Sequence, residues 1–349
     1  MGELAQDLVM LINRIFPPGT ARQLSLSLAP GNCGGPLATR YIKKHIYGGY
    51  VMSKRYLVLF LAIVCYQFLT PVLSWSGDFS FEEDIVFAIV DQVELKLDMA
   101  SPVDGNGPYP ALVYIFDGDW GYWPAGRNVC RSAIRRAAER GYVAVTIDYR
   151  QTSIREAGQA KYRFPDQVHD VKCAVRWLRA NAKKYRIDPE SIGAAGFCCG
   201  GHLALMLGLT RPSDGLEGSC GYSEYSSRVH AVVSSAGPTE LTNLYLYTEN
   251  RFIPNAIAVF IGGSPQEMAV EYTIASPVLY VYKDAPPILT IHGESDNYVP
   301  INQAFLLDEK MKEMGASHTL IIRKYGGHAD FTAQPEAFEF FDKYLKQEH

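Results

Sequence analysis

The sequence predicts an α/β fold with a mostly parallel central sheet that is covered by helices on both faces. Over 77–349, short apolar segments of strand length alternate with longer amphipathic segments of helical length, which is typical of parallel strands joined by helices. The first two segments, Phe81–Val90 and Val93–Met99, are separated only by Asp91-Gln92. They therefore predict an antiparallel pair at one edge. Because no internal repeat or second alternating series follows, one domain is predicted.

The other elements follow from the same alternation. Compact apolar runs predict further strands at Ala111–Phe116, Tyr142–Asp148, Ser191–Phe197, Val229–Ser235, Pro287–His292 and His318–Arg323. Apolar residues at helical spacing predict helices at Asn128–Arg140, Val168–Tyr185, Cys199–Leu209, Gln303–Met314 and Pro335–Lys346. Residues 240–280 lack a strand pattern and are rich in aromatic residues. They predict a small helical cap over the site, with plain packing as the alternative.

Composition excludes several classes of protein. The 349 residues carry 33 Lys and Arg against 37 Asp and Glu, a formal charge of −4, and 48% are hydrophobic. Disordered chains combine low hydrophobicity with high net charge, and nucleic-acid-binding domains are usually basic. We therefore expect a globular protein with no nucleic-acid partner.

A leader is predicted at 52–76. Lys54 and Arg55 precede the apolar run Tyr56–Leu69, and a stretch that ends in small residues follows up to Gly77. This is the layout of a secretory signal peptide cleaved after Ser74 or Ser76. The run is shorter than the roughly 20 residues that span a bilayer, so we expect a secreted or periplasmic protein. An uncleaved signal anchor is the alternative, and it would be the protein's only membrane contact.

Residues 1–51 lie upstream of that complete leader. We interpret them as an over-extended reading frame, or as a disordered extension, with Met52 as the start. A cytoplasmic tail before a signal anchor is the alternative. The domain is then 77–349.

The cysteine pattern favours no metal or cofactor. Seven cysteines are present, five of them after the leader, so at least one thiol of an exported protein stays unpaired. Cys130, Cys173 and Cys220 could include one disulfide that the sequence does not assign. There is no C-x-x-C pair and no Cys/His cluster at zinc spacing. We therefore predict neither a metal site nor a cofactor.

A nucleophile is predicted at Cys198. The strand ending at Phe197 runs through Gly196-Phe197-Cys198-Cys199-Gly200-Gly201 directly into a helix. Flanking glycines allow the strained strand-to-helix turn that projects a nucleophilic side chain above a sheet. A thiol at a helix N-terminus and beside an imidazolium has a lowered pKa, so we expect a thiolate paired with a histidine. A buried structural cysteine is the alternative.

An acid and a base follow in the chain. Asp296 lies just past the strand Pro287–His292, and His328 lies in a glycine-containing loop after the last strand. The order nucleophile, acid, histidine is that of hydrolases with this turn. Asp296 would orient His328, which would act as the base toward Cys198. Glu294 is a competing acid.

These segments together resemble the α/β-hydrolase superfamily, and within it the BD-FAE-like esterases related to the hormone-sensitive-lipase group. The resemblance covers nearly all of 81–346. It is carried by the cysteine turn and the two loops above, together with Asp148-Tyr149-Arg150, the stretch 170–182, Gly237-Pro238-Thr239-Glu240-Leu241 and Ala275-Ser276-Pro277. It implies the α/β-hydrolase fold and hydrolysis of carboxylic esters through a covalent acyl-enzyme.

Two departures from the family pattern are present. The nucleophile is Cys198 instead of serine, which is similar to the dienelactone hydrolases. Where the family shows His-Gly-Gly-Gly-Trp, this chain has Phe116-Asp117-Gly118-Asp119-Trp120. The backbone N–H groups of Cys199, Gly118 and Asp119 are the expected oxyanion donors, and Trp120 is expected to contact substrate. The two added carboxylates would oppose a nearby negative charge unless they are paired or point away.

Three functions remain open. The first is an exported hydrolase in which Cys198, His328 and Asp296 form a catalytic triad acting on a small ester. The second is a catalytically impaired relative that serves as a binding or scaffold protein. The third keeps the thiol chemistry with a lactone or thioester as substrate. The sequence does not indicate the oligomeric state.

Overall fold

Eight strands form one sheet in the computed structural model, which describes residues 78–123, 125–152 and 160–346. In chain order they are β1 (Phe79–Val90), β2 (Val93–Pro102), β3 (Tyr109–Ile115), β4 (Val143–Ile147), β5 (Ile187–Phe197), β6 (Ala231–Ser235), β7 (Ile288–Gly293) and β8 (His318–Arg323). Their order across the sheet is β1-β2-β4-β3-β5-β6-β7-β8. The pairs β1–β2 and β2–β4 are antiparallel, and the other five pairs are parallel.

Nine α-helices connect and cover these strands within the described residues. They are α1 (Arg131–Ala138), α2 (Asp166–Ala180), α3 (Ala182–Tyr185), α4 (Cys199–Leu209), α5 (Leu241–Tyr247), α6 (Ile253–Ile261), α7 (Ala269–Ile274), α8 (Asn302–Met314) and α9 (Pro335–Leu345). Short 3-10 turns occur at Asp119–Gly121, Arg127–Cys130, Pro212–Asp214 and Pro277–Tyr280.

The sheet is buried on both faces, and its central strands alternate between two apolar cores. In β3, Ala111, Val113 and Ile115 pack into the core that α2, α4 and α8 cover. The intervening Leu112 and Tyr114 pack into the core that α1 and α9 cover. Because successive side chains of a strand point to opposite faces, one apolar run supplies both cores. This arrangement confirms the predicted helix–sheet–helix architecture.

The predicted elements are confirmed with small shifts at their ends. Asp91 and Gln92 both have positive φ, as the tight two-residue hairpin between β1 and β2 requires. The helix predicted at Val168–Tyr185 is divided after Ala180 into α2 and α3. Helices α5, α6 and α7 occupy the segment for which a helical insertion was predicted.

One disulfide joins Cys173 in α2 to Cys220, 47 residues further along the chain. Among the described cysteines, Cys130, Cys198 and Cys199 are free. The structure therefore assigns the pairing that the sequence left open between three cysteines.

The leader at 52–76 and the upstream segment 1–51 lie outside the described residues, and the predictions made for them stay predictions. Among the described helices, none has both the length and the apolar character needed to cross a bilayer.

Candidate active site

Cys198 lies on a sharp turn between β5 and α4, with φ 51° and ψ −121°. This conformation is strained for a non-glycine residue. A Cβ added to Gly196 would lie 2.1 Å from the Gly200 carbonyl oxygen, and one added to Gly200 would lie 2.1 Å from the Ile115 carbonyl oxygen. The two glycines therefore let α4 approach both β5 and the end of the neighbouring β3 closely enough to form the turn.

His328 and Asp296 are joined as predicted. The ring Nδ1 of His328 lies 2.7 Å from Oδ2 of Asp296. The other oxygen of Asp296 accepts hydrogen bonds of 2.9 Å from the backbone N–H groups of Tyr298 and Val299. The competing acid, Glu294, instead accepts from the backbone N–H of Tyr325. Asp296 is thus the carboxylate that orients His328, while its own position is fixed by the loop after β7.

Cys198 and His328 meet above the carboxyl end of the sheet. Cys198 Sγ, a His328 ring nitrogen and an Asp117 carboxylate oxygen all lie within 4.8 Å of one another. Since Nδ1 of His328 is bound to Asp296, its Nε2 is the nitrogen available to the thiol. That Nε2 atom is buried and has no hydrogen-bond partner within the described residues. The ring itself is held between Phe197 and Tyr298, whose centroids lie 4.6 and 4.8 Å away.

Asp117 brings a carboxylate close to Cys198. Its Oδ1 accepts a 3.2 Å hydrogen bond from the Cys199 thiol and a long one, 3.5 Å, from the backbone N–H of Asp119. The Asp119 N–H, one of the predicted oxyanion donors, is therefore directed toward a carboxylate. The sequence analysis expected the added carboxylates of this loop to oppose a nearby negative charge, and Asp117 is placed to do so.

The environment of Cys198 raises its pKa well above the ordinary value, because the thiol is buried and lies near the Asp117 carboxylate. The backbone N–H of Cys199 donates to the Cys198 sulfur and acts in the opposite direction, but it is the smaller influence. This direction opposes the expected resting thiolate–imidazolium pair and favours a neutral thiol, since burial and a neighbouring anion both disfavour the thiolate.

Asp119, the second added carboxylate, is buried and paired. Tyr298 donates its hydroxyl to Asp119 Oδ2 at 2.8 Å. Burial and the nearby Asp117 raise the pKa of Asp119 to about 6, despite the Tyr298 hydrogen bond, which lowers it. A large fraction of Asp119 is therefore neutral in mildly acidic solution, and its charge bears less on the site than that of Asp117.

The structure corrects the role expected of Trp120. Its side chain is 2% exposed, is stacked on Phe260 with ring centroids 4.4 Å apart and donates through Nε1 to His202 Nδ1 at 3.1 Å. His202 in turn contacts the Ala275 carbonyl oxygen through Nε2 at 2.8 Å. Trp120 thus joins the nucleophile region to the helical insertion as part of the core, and it does not line the site.

The other two predicted donors are the backbone N–H groups of Cys199 and Gly118. Cys199 is the first residue of α4, so its N–H is one of the helix N-terminal groups without an intrahelical acceptor. Gly118 has φ 142°, a conformation that favours glycine. The Cys199 side chain was not singled out as a site group, although its thiol accepts a 3.3 Å hydrogen bond from the Trp120 N–H. This thiol holds the 117–120 loop against the turn.

Tyr298 was missed by sequence reasoning, although it touches three site residues. Its backbone N–H binds Asp296, its ring packs on His328, and its hydroxyl binds Asp119. Its position two residues after Asp296 was a usable signal, because carboxylates at strand ends commonly accept from the N–H two residues on.

A cavity of about 400 Å³ adjoins the site and extends from Asp117 and Gly118 along Phe197. Aromatic side chains form much of its wall, and Asp330 provides a second carboxylate. Cys130 also lines it, and burial and the charge of Asp330 raise the pKa of that thiol to about 12. The cavity therefore borders the site at Asp117, Gly118 and Phe197, and its walls fit a small, largely apolar group.

Residues 97–311, more than half of the chain, match the model of the BD-FAE family. The probable carboxylic ester hydrolase LipM of Mycobacterium tuberculosis is 29% identical over 230 residues, covering 65% of this chain and 51% of that protein. The isoprenylcysteine alpha-carbonyl methylesterase of Arabidopsis thaliana is 25% identical over 292 residues, covering 80% of this chain and 65% of that protein. This chain thus spans about half the length of the first curated relatives, including 53% of esterase LipC.

Solved structures show the same fold. A truncated carbohydrate esterase from gut microbiota superposes with a TM-score of 0.69 at 29% identity, covering 79% of this chain and 99% of that chain. A thermophilic esterase from Thermogutta terrifontis superposes with a TM-score of 0.59 at 26% identity, covering 77% and 89% of the two chains. The mixed eight-stranded sheet and its helices are therefore those of the α/β-hydrolases.

Proposed function

This chain belongs to the BD-FAE family of α/β-hydrolases, and on that premise we propose that it is an exported carboxylic-ester hydrolase whose nucleophile is Cys198. The observation that carries the proposal is the meeting of Cys198 Sγ and a His328 ring nitrogen within 4.8 Å, with His328 held by Asp296. Relatives described as esterases support the reaction class.

The proposed reaction begins with a neutral thiol. Nε2 of His328 takes the proton of Cys198 as the sulfur attacks the ester carbonyl carbon, and Asp296 stabilises the resulting imidazolium. The carbonyl oxygen becomes an oxyanion near the Cys199 N–H. His328 then gives its proton to the leaving alcohol, which leaves a thioester between the acyl group and Cys198. Water, deprotonated by His328, hydrolyses the thioester and releases the acid and the free thiol.

The cavity supports a restriction on the substrate. Asp117 and Asp330 both line it, so an anionic acyl or alcohol group would meet like charges in a partly buried space. We expect neutral esters with a short aliphatic or aromatic group to be preferred. Lactones and thioesters remain within the same chemistry, because both present an electrophilic carbonyl to the thiol.

The test of the reaction uses neutral p-nitrophenyl esters and a thioester of the same acyl group, with wild type, Cys198→Ser and His328→Ala. Mass spectrometry of the quenched wild-type reaction is expected to show one acyl group on the peptide that contains Cys198. Loss of hydrolysis in His328→Ala with retained folding would agree with its role as base. An acyl group on any other residue would contradict the proposal.

A specific observation favours one alternative, a binding protein without turnover. The Asp117 carboxylate lies beside the nucleophile and raises the pKa of its thiol, together with burial. If wild type hydrolyses none of these esters above the buffer rate, and equilibrium dialysis shows that it still binds them, the binding protein is the better description.

Export is part of the proposal. The Cys173–Cys220 disulfide supports it, because such bonds persist mainly in oxidising compartments. Expression of the whole chain in a secreting bacterial host, followed by N-terminal sequencing of the released protein, is expected to give a mature chain starting at Trp75 or Gly77. A released or cell-bound protein that retains residues 52–74 would favour the anchor.

A further inference from the structure

Two departures from the family pattern meet at one point of the structure. Asp117 stands in the loop where the family has glycine, and Cys198 stands where it has serine. Their carboxylate and thiol lie with a His328 ring nitrogen in a cluster whose ligand atoms are all within 4.8 Å of one another. Either departure alone would leave two of these three donors.

We propose that Asp117, Cys198 and His328 form a binding site for a thiophilic divalent cation of the zinc class. Thiolate, imidazole and carboxylate are the three ligand types that zinc takes in proteins, and three protein ligands with one open position is its usual arrangement outside closed structural sites. The thiolate disfavours magnesium and calcium, which prefer oxygen ligands alone.

The surroundings of His328 support a metal ligand. A histidine ligand commonly donates its second ring nitrogen to a carboxylate, which fixes the ring and its tautomer. Here Nδ1 is 2.7 Å from the Asp296 carboxylate. The opposite nitrogen, Nε2, is buried and without a hydrogen-bond partner among the described residues. The ring is therefore oriented with a free lone pair toward the other two donors.

The charge of the cluster also favours a cation. Asp117 directs a carboxylate toward a buried thiol, and the 3.2 Å contact from the Cys199 thiol is one of its few hydrogen bonds. A dication bound between the donors would turn the repulsion between Asp117 and a Cys198 thiolate into attraction to a shared ion. Since the thiolate is the ligand form, binding releases the Cys198 proton.

The spacing is close to what tetrahedral coordination needs. Zn–S and Zn–N bonds of about 2.3 and 2.0 Å place the ligand atoms about 3.5 Å apart. All three donor atoms lie within 4.8 Å of one another, so the widest pair must close by at most about 1.3 Å. Of the three donors, Asp117 also lines the 400 Å³ cavity, so an ion can approach the cluster from the side of that carboxylate.

The consequence for activity rests on the proposed function. A bound cation occupies the sulfur that would attack the ester and the nitrogen that would take its proton, so zinc is a reversible blocker of the hydrolase. Binding itself does not depend on whether the protein hydrolyses esters.

The test measures binding and hydrolysis separately on the purified full chain after chelator treatment. Zinc affinity is measured by competition with a chromophoric chelator, and cobalt is used as a second probe because its charge-transfer absorption reports a sulfur ligand. We expect one zinc per chain, release of about one proton, and a cobalt–sulfur band.

Asp117→Gly, which restores the family residue, should weaken zinc affinity at least tenfold, and Cys198→Ser should abolish the cobalt band. Cys130→Ser removes a free thiol outside the cluster, and this variant should bind zinc as wild type does.

The outcomes separate this site from the proposed function. Zinc binding that is lost in Asp117→Gly and Cys198→Ser supports the site even if no ester is hydrolysed. Hydrolysis that proceeds in chelator while zinc neither binds stoichiometrically nor inhibits overturns the site and leaves the hydrolase standing. Unchanged zinc affinity in Asp117→Gly and Cys198→Ser also overturns it, as does a loss of affinity in Cys130→Ser alone. Hydrolysis that rises with zinc overturns the blocking role.

Discussion

Asp117 is the residue whose charge bears most directly on Cys198. It accepts from the Cys199 thiol and from the Asp119 N–H, and, after burial itself, it is the largest influence that raises the pKa of Cys198. In the proposed reaction, a carboxylate here opposes both the thiolate and the oxyanion that follows it. On that proposal, the site gives up transition-state stabilisation that a glycine at this position would leave available.

Replacing Asp117 by Gly or Asn is expected to raise kcat/KM for neutral esters about tenfold or more in chelator, equivalent to about 1.4 kcal/mol. The midpoint of the pH profile for iodoacetamide labelling of Cys198 should move to lower pH, because the thiolate loses its nearest like charge. Asn keeps the size of the side chain, so equal gains in both variants assign the effect to charge. A gain in Gly alone would assign it to backbone shape, and unchanged labelling and rate in both would contradict the argument.

Asp119 predicts a pH-dependent stability. Its pKa in the folded protein is about 6, above the ordinary value of 3.8, so the folded state disfavours the charged carboxyl. The free energy of unfolding that the neutral carboxyl supports is fully present below pH 4 and is lost as the pH rises through 6. Asp119→Asn removes this titration. Its free energy of unfolding relative to that of wild type should therefore increase by about 2 kcal/mol from pH 4.5 to pH 8.

Urea unfolding of both proteins at the two pH values measures that difference. Tyr298→Phe provides the matched comparison, because the Tyr298 hydroxyl lowers the pKa of Asp119 by donating to the carboxylate. The stability of Tyr298→Phe should therefore fall more steeply with rising pH than the stability of wild type does. A pH-independent difference between Asp119→Asn and wild type would sink the assignment of a raised pKa.

At the scale of elements, the turn between β5 and α4 depends on close backbone contact. A Cβ on Gly196 would lie 2.1 Å from the Gly200 carbonyl oxygen, which no side-chain rotation relieves. Gly196→Ala is expected to lower the free energy of unfolding by about 3 kcal/mol and to abolish hydrolysis by moving Cys198. Gly327→Ala is the control, because an added Cβ there meets no atom within 4 Å. Urea unfolding compares the two, and equal stabilities would contradict the steric argument.

The elements were predictable because their signals are local. Helix α4 begins and ends at the predicted residues Cys199 and Leu209, and β8 at His318 and Arg323, since apolar runs and flanking glycines mark them directly. The break between α2 and α3 at Asn181 was not predictable, because the apolar spacing continues through it. Which side of the sheet each helix covers depends on the strand order, which no single segment encodes.

Within the site, the sequence predicted the His328–Asp296 pair because the order of strands and loops restricts which groups meet at the carboxyl end of the sheet. It did not predict the protonation state of Cys198, because burial and the approach of Asp117 are properties of packing. The sequence predicted that Trp120 contacts substrate, because Trp120 directly follows the expected oxyanion donors Gly118 and Asp119. The stacking partner that draws Trp120 into the core, Phe260, is 140 residues away in the chain.

At the scale of the whole molecule, one covalent link joins α2 to the segment before β6 beside a buried ionic network. Lys172 and Arg176 of α2, with side chains 1% and 3% exposed, both pair with Glu217. Cys220 follows Glu217 closely and its sulfur accepts a 3.1 Å contact from Arg176. The disulfide thus holds in place the loop that supplies the carboxylate for two buried cations, and uncompensated buried charges are strongly destabilising.

Opening this link is expected to lower stability by about 4 kcal/mol, the loop-closure value for a separation of 47 residues. The double variant Cys173→Ala/Cys220→Ala and the reduced wild type should lose the same amount of free energy of unfolding in urea, whereas Cys130→Ala should respond to reductant as wild type does.

Peptide mapping without reductant should recover the Cys173 and Cys220 peptides joined. If both cysteines are instead alkylated in native protein released from a secreting host, the bond is not formed there and the support it gives to export is withdrawn. If the bond is present but its removal leaves stability unchanged, then Glu217 is held by Lys172 and Arg176 alone.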